Sequence, residues 1–88
     1  MIHSASARFW RCYDALPPEI RNRADKNIAL LKGDPSHPSL QFKVLGHKQL
    51  CSVRVGLHYR ALGLPHEDGV HWFWIGSHAE YDRLVGMG

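Results

Sequence analysis

Acidic residues are missing from a long internal stretch of this 88-residue sequence: between Gln41 and Arg60 there is no aspartate or glutamate, although eight occur elsewhere. Cysteine is scarce. Cys12 and Cys51 are the only two, and they stand far apart in no paired motif. That excludes a disulfide scaffold and a cysteine-based zinc site, and leaves two buried thiols as the expectation. Seven histidines are present, yet none falls at HExxH or other helical ligand spacing, so neither a metal nor another cofactor is expected. No glycine-rich phosphate loop and no nucleophile elbow occurs. No apolar run is long enough to cross a bilayer, and Met1-Ile2-His3-Ser4 lacks the basic-then-apolar opening of a signal peptide. The expectation is a cytoplasmic protein without membrane contact, folded as one domain over residues 1–88, since two cores do not fit in so short a chain.

Hydrophobic residues make up 44% of the chain, enough for an ordinary core, and the formal net charge is +3. The acid-free segment concentrates Lys43, Lys48, Arg54 and Arg60, with His47 and His58 between them. A local positive field of this kind suits an anionic partner.

Periodicity gives the elements. Phe9, Tyr13 and Leu16 recur at helical spacing, which predicts a first helix from about Ala5 to Leu16. Pro17-Pro18 stops it and opens a second, whose stripe is Ile20, Ala24, Ile28 and Leu31 and whose end is Gly33. After His37-Pro38 the period becomes two. Four strands are expected: Leu40 to Val44, Cys51 to Val55, Tyr59 to Leu64 and Val70 to Ile75. Asp68-Gly69 signals a hairpin, and the short connections imply antiparallel pairing. Ser77 and Glu80 form a capping box for a short last helix that ends near Gly86. The fold class is α+β: a helical hairpin packed on one face of a four-stranded, mainly antiparallel sheet, with a short C-terminal helix.

Some of these residues carry chemistry. If Cys51, Val53 and Val55 face the core, Ser52 and Arg54 face away from it, and Arg60 can lie near Arg54 across the hairpin. Two guanidiniums on one sheet match phosphate geometry, although solvated surface arginines look the same in sequence. His78, in the first turn of the last helix, is a candidate general acid or base, and a capping-region surface histidine is its plain alternative. Tyr81 lies one turn on. Trp72 and Trp74 share one face of the last strand by simple alternation, with His71 and Phe73 on the other, and burial favours the core for both tryptophans.

In combination these segments resemble the RelE/ParE superfamily of type II toxins over nearly the whole chain. Carrying the resemblance are Leu16-Pro17-Pro18-Glu19-Ile20-Arg21, then Leu40-Gln41-Phe42-Lys43-Val44-Leu45-Gly46. They are followed by Ser52-Val53-Arg54-Val55-Gly56 with Tyr59-Arg60, and the ending Trp74-Ile75-Gly76-Ser77-His78-Ala79-Glu80-Tyr81. The resemblance implies a RelE-like fold and a ribosome-dependent endoribonuclease that cuts mRNA by attack of a ribose 2′-hydroxyl on the adjacent phosphate, without a metal. By position, Arg54 and Arg60 would stabilise the phosphate, Lys43 and Lys48 would hold RNA backbone, His78 would be the acid/base, and Tyr81 would orient or stack. Implied partners are a cognate antitoxin, the ribosome and mRNA, with DNA reached only through the antitoxin complex. The ParE branch shares the fold and inhibits DNA gyrase without cutting RNA, and a relic without toxicity is a third outcome.

Overall fold

The computed structural model describes residues 2–45 and 50–85. Lys48 and the helix stop at Gly86 lie outside the described residues.

Leu16, Leu31, Leu40, Val53, Val55, Ala61, Val70, Trp72 and Ile75 condense into one core, and the order of elements follows from how the chain covers it. Strand β1 (Ile2–Ala5) leads into helix α1 (Ala7–Asp14) and helix α2 (Pro18–Gly33). One 3-10 turn (Pro38–Leu40) precedes β2 (Lys43–Leu45), β3 (Leu50–Val55), β4 (Tyr59–His66), β5 (Gly69–Ser77) and helix α3 (His78–Val85). The sheet order is β1-β5-β4-β3-β2, antiparallel except for β1, which pairs in parallel with β5.

Three expectations change. Among the described residues the sheet has five strands, not four, because residues 2–5 form a parallel edge strand and the first helix starts only at Ala7. Ser6 sets that start: its side chain accepts from the Phe9 N–H at 3.1 Å. A four-residue edge strand has too little alternation to be read, and its partner lies 67 residues away. The segment expected as a strand from Leu40 begins instead with the 3-10 turn, which buries Leu40 completely, and Gln41 turns the chain in the left-handed region (φ 44°). Only Lys43–Leu45 pairs as a strand.

The third change concerns the tryptophans. β4 and β5 pair regularly from Tyr59↔Ser77 to Leu62↔Trp74, and then Gly63 pairs with Trp72. Phe73 is therefore the extra residue of a β-bulge, and a one-residue insertion exchanges the faces of everything beyond it. Trp72 joins the core beneath α1 and α2, whereas Trp74 joins a second cluster with Leu62 and Tyr81 on the other face. Both indoles are buried, as expected, but on opposite sides of the sheet. Each lies against a glycine that leaves room for it. A Cβ on Gly63 would fall 2.9 Å from the Trp72 ring, and one on Gly76 would fall 2.5 Å from the Trp74 ring.

The helices accordingly sit on both faces. α1 and α2 cover the Val53 side, and α3 covers the Ser52 side. The capping box is formed as expected, with the Glu80 N–H donating to Ser77 Oγ (3.2 Å) and the Ser77 N–H donating back to Glu80 Oε1 (3.4 Å). Cys12 and Cys51 are free thiols, and burial pushes the Cys51 thiol up to about 11.

Candidate functional site

Alternation along β3 sends Ser52 and Arg54 to the α3 side, and the neighbouring strands extend both rows. Lys43 pairs with Ser52 and Ser52 with Leu62; Arg54 pairs with Arg60 and Arg60 with Gly76. Three cationic side chains, Lys43, Arg54 and Arg60, thus share one face. The direct Arg54↔Arg60 pairing is the neighbourhood that the hairpin suggested.

Their environments differ sharply. Lys43 is exposed. Arg54 is half-buried, and its Nε–H donates to the Gly56 carbonyl at 2.9 Å. Arg60 is 3% exposed, so it is no surface arginine. Its Nη2 donates to the Gln41 carbonyl (3.0 Å) and to Ser52 Oγ (2.9 Å), its Cζ lies 5.1 Å from the centre of the Tyr81 ring, and its Nε has no partner among the described residues. A buried cation without a carboxylate is costly, and hydroxyl, carbonyl and aromatic face together offset part of that cost. Burial lowers the Arg60 pKa; Arg54 across the strand pushes the same way and Tyr81 the opposite way.

Tyr81 closes this network. It is buried, and its hydroxyl donates to Ser52 Oγ at 3.3 Å, so Ser52 receives from both Arg60 and Tyr81. Ser52 faces away from the main core, as alternation requires, yet it is completely buried on the α3 side. The other end of α3 is open. His78 follows β5 directly, and its backbone N–H donates to the His58 carbonyl. Its side chain is 51% exposed, its ring centre is 5.6 Å from that of Tyr81, and its Nδ1 lies 3.2 Å from Asp82 Oδ2.

The structure thus brings together Arg54, Arg60, His78 and Tyr81, with Lys43 at the rim; Lys48 lies outside the described residues. Sequence reading missed Ser52 and Asp82 as members. Asp82 was findable, because i and i+4 share a helix face. Ser52 was not, since only the docking of α3 buries it. Among the described residues no cluster of His, Cys, Asp and Glu is arranged to hold a metal.

Chemically, the face offers permanent cations for a phosphate, an exposed imidazole for proton transfer, and an aromatic ring between them. The ParE-like toxin domain family matches residues 18–83, three quarters of the chain, and the chain belongs to that family. Its α+β fold is that of the RelE-like toxins. Similar folds include the RelB-RelE antitoxin-toxin complex from Methanococcus jannaschii (18% identity, TM-score 0.69, 93% of this chain and 98% of that one). YafQ from E. coli strain BL21(DE3) is also similar (14% identity, TM-score 0.72, 97% and 98%), as is the YoeB/ParE toxin from Agrobacterium tumefaciens (13% identity, TM-score 0.69, 89% and 99%). No curated protein matches the sequence. Among the described residues no helix is long and apolar enough to cross a membrane.

Proposed function

We propose that this chain is the toxin of a type II toxin–antitoxin pair and acts in the cytoplasm, as a single domain over its 88 residues, by cutting mRNA on the ribosome. One observation carries the reading: Lys43, Arg54 and Arg60 share one sheet face, and Tyr81 links that face to the half-exposed His78, its ring 5.1 Å from Arg60 Cζ and 5.6 Å from the imidazole. Cleavage by the neighbouring 2′-hydroxyl needs a base to take its proton, cations for the charge gathering on phosphorus, and an acid for the leaving 5′-oxygen. The products are a 2′,3′-cyclic phosphate and a 5′-hydroxyl, and no metal is needed. His78 is the acid/base. Arg54 contacts the phosphate, and Lys43 holds the RNA backbone, with Lys48 of the same acid-free segment assigned to that task from sequence. Arg60 supplies positive potential from below and holds Tyr81, which is buried with it and orients the site from beneath rather than stacking on the RNA. A cognate antitoxin is the partner that restrains the toxin; the similar Methanococcus jannaschii structure is such a pair. DNA is contacted through the antitoxin.

A second reading, a non-enzymatic inhibitor of DNA gyrase, is favoured by the ParE-like description of the matching family and by the burial of Arg60. Incubation with programmed ribosomes separates the two. Cleavage that falls about 100-fold or more in His78→Ala and Arg54→Ala supports the nuclease, since acid–base groups contribute roughly 10²–10⁴. An intact message together with blocked gyrase supercoiling overturns it, and equal cleavage by both variants overturns the site.

A further inference from the structure

His78 is not alone on its helix. Among the described residues its contact with Asp82 is the single ion-pair contact, in a chain that carries eight carboxylates. The geometry is specific: Asp82 Oδ2 stands 3.2 Å from Nδ1, and Nε2 makes no hydrogen bond among the described residues. Glu80, the other acid of α3, is committed to Ser77 in the capping box, so it does not compete for the ring. Tyr81 flanks the imidazole, with ring centres 5.6 Å apart and a tilt of 59°.

We propose that Asp82 is a positioning residue for His78, fixing the proton on Nδ1 and leaving the Nε2 lone pair directed outward. This rests on the reading of His78 as the acid/base. The reason is tautomeric. A neutral imidazole carries one N–H, and the hydrogen bond made by one nitrogen decides which nitrogen holds it. A carboxylate at Nδ1 accepts only from Nδ1–H, so Nε2 is left able to take a proton. Once Nε2 has taken the 2′-hydroxyl proton, the same carboxylate stabilises the imidazolium, which then returns a proton from Nε2 to the leaving oxygen. Asp82 touches no reacting atom. Its contribution is made through the ring, and it follows from the i, i+4 spacing that α3 imposes.

The experiment has two arms. In the isolated full chain at alkaline pH, 15N chemical shifts of the His78 ring report the tautomer directly, whatever the chain does to RNA. Wild type should show Nδ1–H, and Asp82→Ala should shift the balance toward Nε2–H. Both residues are more than half exposed, so the variant keeps the fold. In the ribosome assay Asp82→Ala should lower kcat by about 10-fold or more with KM unchanged, and Asp82→Glu, which keeps a carboxylate, should recover most of the loss. An unchanged tautomer in Asp82→Ala overturns the positioning role. A shifted tautomer with undiminished cleavage overturns its part in catalysis. A shifted tautomer in a chain that never cleaves RNA leaves Asp82 as the residue that sets the His78 proton and removes the nuclease reading instead.

Discussion

The two faces of the sheet are built on opposite principles. Beneath α1 and α2 the contacts are apolar: Val53, Val55, Ala61, Trp72 and Ile75 meet Phe9, Ile28 and Leu31, and a cleft of about 240 Å³ remains between the helices. Beneath α3 the apolar cluster is Leu62, Trp74 and Tyr81, and beside it a buried guanidinium and the Tyr81 hydroxyl both donate to Ser52, with the guanidinium Nε left without a partner among the described residues. The first face obtains its stability from area removed from water. The second gives up some of that area to groups that water would otherwise solvate. The two sides of β3 thus carry apolar packing on one face and a buried polar network on the other.

Replacing each tryptophan breaks the comparison most directly. Trp72→Ala, in the larger core, should cost about 3–5 kcal/mol, a large part of the total for so small a domain. Trp74→Ala should cost less, because its cluster is smaller and closer to solvent. Urea denaturation of both variants checks the order, and a reversed order would mean that the α3 face carries the fold.

Ser52→Ala sharpens the polar side. It removes the shared acceptor of Arg60 and Tyr81 while leaving the apolar face untouched, so a loss of about 1–3 kcal/mol is expected. Amide exchange should quicken in α3 before it does in β3 or β4, because Tyr81 loses its anchor. Uniform quickening would show that the two faces are not separable.

The smallest effect belongs to the edge of the apolar face. The Trp72 Nε1–H donates to His3 Nδ1 at 3.1 Å, which requires a neutral ring, and burial first, then the charge of Lys32, lowers the His3 pKa below 6.5. Between 6.5 and that lower value the unfolded chain binds a proton that the folded chain does not. Stability should therefore fall as pH drops through this window and level off below it, with the contribution fully present above 6.5. In His3→Gln the slope should diminish; an unchanged slope would place its origin in another group.

Much of this was legible in one dimension. The prolines at 17 and 18, the capping box at Ser77 and Glu80, and the alternation of Cys51, Val53 and Val55 are local signals, and each fell where it was read. The Arg54–Arg60 neighbourhood follows from a hairpin closed by Gly56 in the left-handed region (φ 69°). Apart from the 3-10 turn at Pro38–Leu40, what failed was non-local. β1 exists because β5 offers it an edge, and the bulge at Phe73 is a property of two strands together, invisible in either alone.

Sequence by itself determined the class of fold, since periodicity, caps and charge act between near neighbours, and its motifs carried the resemblance to the family. Only the tertiary structure decided which groups are reachable. Arg60 and Ser52 read as outward-facing by alternation, and in the sheet they do face away from the main core. Whether outward means solvent depends on where α3 docks, and that is set by the fit of Tyr81 over Arg60 and Ser52, residues 21 and 29 positions away in the chain.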